Sequence, residues 1–544
     1  MITDKPLLSG KTLTMKAGLV VVLILVTGSV YILTLSHTSS YDALSYYRDV
    51  EYGAWKDLGH PHHLIYLPML RVWYDLWKGL GYNGNVVLPS RILSLAAALG
   101  IAAAFARLLA YFFRPGKAFV LALVLGFTYT TWHFASEVEP VDFFILFSIL
   151  NTLLLLRIQT RATIFSRDIV LVACVNSLGV MFHQSLAVFI PISAVYLGLN
   201  SKRGARVHAV TAYTILAALL IAIPYLAAGR YWGGARNLSA SLRWASTYKQ
   251  HFREFGLGSW SRVSLDPILH GIGRTFLGGT ALKPYVLAAK PKDVWFYLAA
   301  SPYAITAALV TLGLAICVAG ARSLCRRHGW TLLTVFMLVP IFGCIASWWE
   351  PWNRTFWGPT LPSLVIFTGL GYSLLPDRPA LKTLGRGAPI LLLATLIAGN
   401  LAGGIMQKHA QEDTNCPVVT GMRSLECSGS IVILRNGMPA RLLAYYCPSL
   451  DIRYVTCPRG CSHRELITAM EPALRGAGPV LASGRTVFFA SDLIASPEDI
   501  IAAFSQVAGI EVIVTPCFTC AHPVSGHPPF TMYEVRRYAD TAAR

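Results

Sequence analysis

Charge is scarce in this sequence. Asp, Glu, Lys and Arg make up 13% of it against 54% hydrophobic residues, and acids are the rarer sign, 27 against 46 basic residues. A chain this poor in charge is expected in a membrane rather than as a string of soluble domains. Also missing are a Gly-x-Gly-x-x-Gly turn after a strand and a Walker sequence, so no phosphate loop for a nucleotide substrate is present. There is no internal repeat and no low-complexity segment. No small-x-small cleavage site follows the first apolar run, Ala17 to Leu35, which Lys5, Lys11 and Lys16 precede. That run is long enough to cross a hydrocarbon core of about 30 Å, so an uncleaved first span with a cytoplasmic N-terminus is expected.

Hydropathy predicts about eleven spans, near 17–35, 88–112, 118–134, 140–156, 168–183, 185–200, 209–228, 294–320, 330–347, 357–376 and 388–406. Alternate loops carry the cations: Arg114 and Lys117; Arg157, Arg161 and Arg167; Lys202, Arg203 and Arg206; Arg322, Arg326 and Arg327; Arg378, Lys382 and Arg386. The positive-inside rule places these loops in the cytoplasm. From Lys408 onward the chain has 12 basic and 12 acidic residues, so the net charge of +19 belongs to the membrane portion. A nucleic-acid partner, which would call for a basic soluble face, is therefore excluded.

The opposite loops face outward and hold nearly all the candidate chemistry. The first, about 36–87, opens with Asp42, Arg48, Asp49 and Glu51 and continues into His60-Pro61-His62-His63 and Tyr66. Polar groups at the bilayer edge need burial in protein or a wet cavity, so this cluster is expected to floor an active site. Asp42 can take a proton from an acceptor while a phosphate leaves; the plainer alternative is a helix cap after Ser40. Residues 62–82 read as an interfacial amphipathic helix. Glu137 and Glu139 form a second acidic junction, either a polar turn before Pro140 or a pair that orients an acceptor or binds a divalent metal ion. His60, His62 and His63 could bind such an ion, hydrogen-bond a phosphate, or simply pack at the interface. His183, at a span's outer end, is expected to be structural.

A long outward loop, 229–293, has ten basic residues against three acids, with Arg230, Arg236 and Arg243 among them and Trp and Tyr interleaved. Arginine holds phosphate bidentately, so a lipid-linked phosphate is the expected ligand, with anionic headgroups as the alternative. Glu350, Asn353 and Arg354 sit in a tryptophan-rich outer end and go beyond an aromatic belt. The remainder, 407–544, alternates strand-like runs (430–434, 487–490, 511–514, 532–535) with helix-like ones (464–475, 497–507), as a small α/β domain would. Seven of the eleven cysteines lie there. Outside the cytoplasm they are expected to pair as disulfides, though Cys457, Cys461, Cys517 and Cys520 could instead hold zinc.

Asp42 opening the first outward loop, Glu137 and Glu139 in a second acidic loop, the run His60–Leu67 and the run Trp349–Trp357 together resemble the C-type (GT-C) integral membrane glycosyltransferases. That group includes the protein O-mannosyltransferases and the lipid A aminoarabinose transferases. The resemblance covers residues 1–406. It implies a GT-C-like polytopic helical domain in a bacterial inner membrane, followed by an extracytoplasmic domain at 407–544. It further implies an inverting transferase that moves a sugar from a polyprenyl-phosphate-linked donor to a protein, lipid or polysaccharide acceptor. Asp42 with Glu139 or Glu137 would be catalytic. Arg48, Arg230, Arg236, Arg243 and Arg354 would hold the donor phosphate, and His60, His62, His63, Tyr66, Glu350 and Asn353 would line the acceptor or sugar pocket. A transporter or flippase of lipid-linked glycans, or a non-catalytic assembly partner, is the competing expectation.

Overall fold

The computed structural model describes residues 16–159, 164–246, 265–278, 294–410, 413, 416–424, 430–435, 437–456, 463–483, 485–491, 493, 496–520 and 530–538. Among them, six helices are long and apolar enough to cross a membrane: Val87–Leu109, Val141–Gln159, Arg203–Tyr231, Ser301–Ala319, Thr331–Trp349 and Pro379–Asn400. Three shorter apolar helices, Ala17–Leu33, Pro115–Gly126 and Gln184–Asn200, accompany them. These helices leave the expected count of about eleven spans unconfirmed among the described residues. The segment expected to span 118–134 stops at Gly126 and restarts at Tyr129 after an extended Thr128. The one expected at 357–376 is interrupted by a 3-10 turn at Gly358–Thr360, with Pro362 just beyond. Proline lacks the amide needed to continue a helix, which explains the second break.

The elements used below are α1 (Ala17–Leu33), α2 (Tyr41–Glu51), α3 (Tyr66–Gly79), α4 (Val87–Leu109), α5 (Pro115–Gly126), α6 (Tyr129–Phe134), α7 (Val141–Gln159), α8 (Ser166–Phe182), α9 (Phe189–Asn200), α10 (Arg206–Tyr231), α11 (Leu238–Ala245), α12 (Leu265–Phe276), α13 (Val294–Ala319), α14 (Leu338–Trp349), α15 (Arg354–Trp357), α16 (Leu361–Ser373) and α17 (Pro379–Asn400). Chain packing yields two compact units, Met1–Ser36 with Gly53–His409, and His37–Tyr52 with Ala410–Arg544.

The first unit is a helical membrane core. Leu23, Tyr31, Ile101, Phe105, Trp132, Ile145, Leu309, Val365 and Leu392 belong to one buried cluster. Lipid is as apolar as these side chains, so close packing and interhelical hydrogen bonds must hold the helices together. Helices α13 and α16 cross so tightly that a Cβ on Gly371 would come within 1.8 Å of the Gly313 carbonyl oxygen. Buried polar groups bridge other pairs. Tyr31 donates to the Gly126 carbonyl at 2.6 Å, Trp132 to Thr34 at 2.9 Å, and Asn176 to Tyr213 at 2.6 Å. Helix α3 is amphipathic, as expected. It buries Tyr66, Leu67, Leu70 and Tyr74, exposes Val72 and Leu76, and ties Arg71 to Asp75 at 3.2 Å.

The second unit is built on a five-stranded sheet, β1 (Ile431–Arg435), β2 (Asp451–Val455), β3 (Val487–Ala490), β4 (Val512–Cys520) and β5 (Phe530–Arg537), in the order β2-β1-β3-β5-β4. The first three strands are parallel and β5 runs antiparallel to both its neighbours. Helices α19 (His463–Ala482) and α20 (Pro497–Ala508) cover it with Met470, Leu474, Ile500 and Phe504. Local signals explain α20: the Ser496 hydroxyl caps it, Pro497 opens it, and Gly509 ends it in the left-handed region. Helix α2 belongs to this unit, packed on α18 (Met438–Tyr446). Tyr445 donates to Glu51 at 2.8 Å, and its ring lies 5.5 Å from that of Tyr47.

Candidate active site

In the second unit, Asp42 occupies the first turn of α2, where Ser40 rather than Asp42 supplies the cap by accepting from the Ala43 amide. The carboxyl of Asp42 is raised above the ordinary aspartate range by burial, with the Arg441 guanidinium opposing. Arg441 donates to the Tyr41 hydroxyl at 3.0 Å and stacks over that ring at 4.7 Å. Raised proton affinity makes the ionised carboxylate a better proton acceptor. Arg48 is taken up locally: it pairs with Asp49 at 2.9 Å and donates to Tyr454 at 3.5 Å.

In the first unit, Glu137 is fully buried between α6 and α7, and Lys408 donates to it at 3.4 Å. Glu139 beside it is half-buried. His133, on α6, stacks flat on Tyr129 with ring centroids 5.3 Å apart, and both Lys408 and Arg354 act on it electrostatically. The Arg354 guanidinium lies 4.8 Å over Tyr129 and 5.4 Å over Phe134. Burial first, then the repulsion of Arg354, push Arg274 at the end of α12 below the ordinary arginine value, with Tyr129 opposing. Two arginines and an imidazole therefore gather around one tyrosine ring, with Lys408 acting on the imidazole from the side of Glu137. Like charges brought together under partial burial favour a bound anion.

The backbone frames this cluster. Asn400 is fully buried and donates to the Phe127 and Phe276 carbonyls, both at 2.8 Å, while accepting from the Gly278 amide at 2.9 Å. It thereby joins the entry to α6, the end of α12 and the end of α17. Helix α12 approaches the turn before α15 so closely that a Cβ on Gly271 would meet the Pro351 carbonyl oxygen at 2.0 Å. Glu350 and Asn353 act within that turn: Asn353 donates to Glu350 and caps α15 by accepting from the Thr355 amide.

Although His62 and His63 are adjacent in sequence, the 3-10 turn Pro61–His63 gathers all three loop histidines. His60 and His63 stack at 5.2 Å, His62 lies 5.8 Å from His60, and His183 lies 5.2 Å from His63. Burial first, then the His183, His60 and His62 rings, push His63 well below the ordinary histidine value. The Phe182 carbonyl 3.1 Å from Nδ1 can only accept, so that nitrogen carries the proton. Gln184 and Tyr225 both donate to the Pro61 carbonyl, at 2.9 and 3.0 Å. Tyr66 is buried against Phe143.

Arg230, Arg236 and Arg243 are exposed at the end of α10, beyond it and on α11. Lys249, Arg253 and Arg262 of the same loop lie outside the described residues. No group of three or more His, Cys, Asp or Glu is arranged to hold a metal among the described residues. Cys416, Cys447 and Cys517 are free thiols, so the expected disulfides find no support there. Cys427, Cys457 and Cys461 lie outside the described residues.

No family model and no curated protein matches the sequence. Solved structures do match. ArnT from Cupriavidus metallidurans bound to undecaprenyl phosphate aligns over 95% of this chain and 98% of its own, at 10% identity and a TM-score of 0.57. The oligosaccharyltransferase of Archaeoglobus fulgidus in its apo form aligns over 90% of this chain and 71% of its own, at 10% identity and a TM-score of 0.51. The archaeal oligosaccharyltransferase AglB from the same organism, in complex with an inhibitory peptide and a dolichol-phosphate, aligns at 11% identity and a TM-score of 0.51. The chain has the GT-C fold. On this GT-C frame, sequence reasoning pointed to Asp42, Glu137 and Arg354 but missed Lys408, His133 and Arg441. Each of the three lies in a stretch whose apolar or helical character hides it; folding sets Arg441 beside Asp42 in the second unit, and Lys408 and His133 with Glu137 and Tyr129 in the first.

Proposed function

We propose that this protein is a membrane glycosyltransferase that moves a sugar from a polyprenyl-phosphate-linked donor to an acceptor on the outer side of a bacterial inner membrane. The observation that carries this reading is the gathering of Arg274, Arg354 and His133 around Tyr129 in the membrane unit, with Lys408 acting on His133. Two fold neighbours hold undecaprenyl phosphate and dolichol-phosphate, which supports the same donor class here. Asp42 accepts the proton of the acceptor hydroxyl or amine as that atom bonds to the anomeric carbon. The bond from that carbon to the phosphate oxygen breaks, its electron pair leaves with polyprenyl phosphate, and the anomeric configuration inverts. The arginines and Lys408 stabilise the phosphate charge as it develops. Glu137 keeps Lys408 in place, and Glu139 is left to orient the acceptor.

The transporter alternative rests on Asp142. It is fully buried in the first turn of α7, and neither carboxylate oxygen has a hydrogen-bond partner among the described residues. An ionisable group within a span is a mark of ion-coupled carriers. The two readings separate by product. Purified protein given polyprenyl-phosphate sugars should release polyprenyl phosphate and form an inverted glycoside, and Arg354→Gln should suppress both. Movement of intact lipid-linked sugar across a vesicle wall without release would favour the carrier.

A further inference from the structure

At the end of the membrane unit that the Lys and Arg distribution assigns to the cytoplasm, α5, α16 and α17 enclose a cavity of about 510 Å³. Its wall includes Arg114, Lys117, Lys382 and Arg386, with Asp377 as the one acid. Lys382 is paired with Asp377 at 3.2 Å, and Lys117 donates to Ser373 at 2.7 Å. Among the described residues neither Arg114 nor Arg386 has an ion-pair partner. The first turn of α5, a helix of 12 residues opened by Pro115, also lines the cavity, and Gly116 there meets open space. Topology explains why cations are frequent in these loops. It does not explain why four of them, from two loops, converge on one hollow together with a helix N-terminus.

We propose that this cavity binds the phosphate of an anionic phospholipid headgroup. Arg114 and Arg386 supply forked guanidinium donors, Lys117 a point charge anchored by Ser373, and the α5 N-terminus aligned amides. The wall also carries apolar side chains, Val120, Leu375, Leu381 and Ile390, which suit the glycerol and first acyl carbons of a lipid. A soluble phosphate would gain nothing from those apolar side chains, so a lipid is the better occupant. The site shares no residue with the candidate active site. It is independent of the glycosyltransferase reading, and its ligand enters from the opposite leaflet.

The test uses full-length protein in a neutral detergent. Thermal unfolding is followed while phosphatidylglycerol, phosphatidylcholine or inorganic phosphate is titrated in, because a ligand that binds only the folded state raises the midpoint. Phosphatidylglycerol should raise it saturably and phosphatidylcholine should not. In Arg114→Gln/Arg386→Gln the lipid concentration for half the effect should rise roughly tenfold or more. The increment is read against each variant's own lipid-free midpoint, so a less stable variant remains informative. An equal response to phosphatidylcholine, or an unchanged response in the double variant, would overturn the proposal. A matching response to inorganic phosphate alone would overturn the lipid assignment in favour of a soluble phosphate.

Discussion

Lys408 and Glu137, 271 positions apart, meet at 3.4 Å, and the carboxylate is wholly removed from solvent. A buried charge that loses its partner is costly, by about 3 kcal/mol or more. Lys408→Met should therefore lower stability by that order, whereas combining it with Glu137→Gln should recover most of it. Denaturation midpoints of the two singles and the double give the coupling, and simple additivity would mean that the pair does not hold the site together.

Asp42 and Arg441 make a prediction about pH. Burial raises the Asp42 carboxyl and Arg441 holds it down, so removing the guanidinium should raise it further. A base works only when deprotonated, so the acid limb of the kcat/KM profile should move to higher pH in Arg441→Gln and less in Arg441→Lys. A fall in rate with no displacement of the limb would assign Arg441 a purely structural part.

The histidine cluster should make the fold acid-sensitive. His63 is buried neutral with its proton affinity depressed, while in the unfolded chain it titrates near 6.5. Stability from this group is therefore fully present above about pH 6.5 and is lost as pH falls below that value. The slope of the melting temperature between pH 7 and pH 5 should flatten in His63→Gln, whatever the variant's stability at neutral pH. An identical slope would contradict the burial argument.

Donor affinity should divide the arginines by location. Arg354→Gln and Arg274→Gln remove donors from the cluster at Tyr129 and should raise the KM for a polyprenyl-phosphate sugar by roughly ten- to a hundredfold. Arg230→Gln and Arg243→Gln, on exposed positions, should stay within about threefold. Equal losses at all four would instead extend the phosphate site to the exposed Arg230 and Arg243.

Much of this architecture was legible in the sequence because hydrophobic runs and turn residues are local signals. The strands β1, β3, β4 and β5 and the helices α3, α19 and α20 follow from such patterns. Strand β2 escaped because Asp451, Arg453 and Tyr454 are exposed on an edge, which leaves no apolar alternation to read. The expected spans are not single helices at Thr128 and at Gly358–Thr360, where one hydropathy peak covers two helical segments. Asp42 and Glu137 stood out as acids beside apolar runs. Their partners did not: Arg441 and Lys408 are about 400 and 270 positions away, and neither lies in a motif. Nor did the sequence show that α2 packs with the C-terminal residues, since that depends on Tyr47 and Tyr445 meeting.

The central claim is that Asp42 serves as the base in sugar transfer. Its most direct test is transfer by purified protein from a panel of polyprenyl-phosphate sugars, comparing wild type with Asp42→Asn while donor binding is measured in parallel. The account predicts turnover by the wild type, a loss of at least a hundredfold in kcat in the variant, and donor affinity unchanged within a few-fold. Turnover by Asp42→Asn close to the wild-type rate would contradict it.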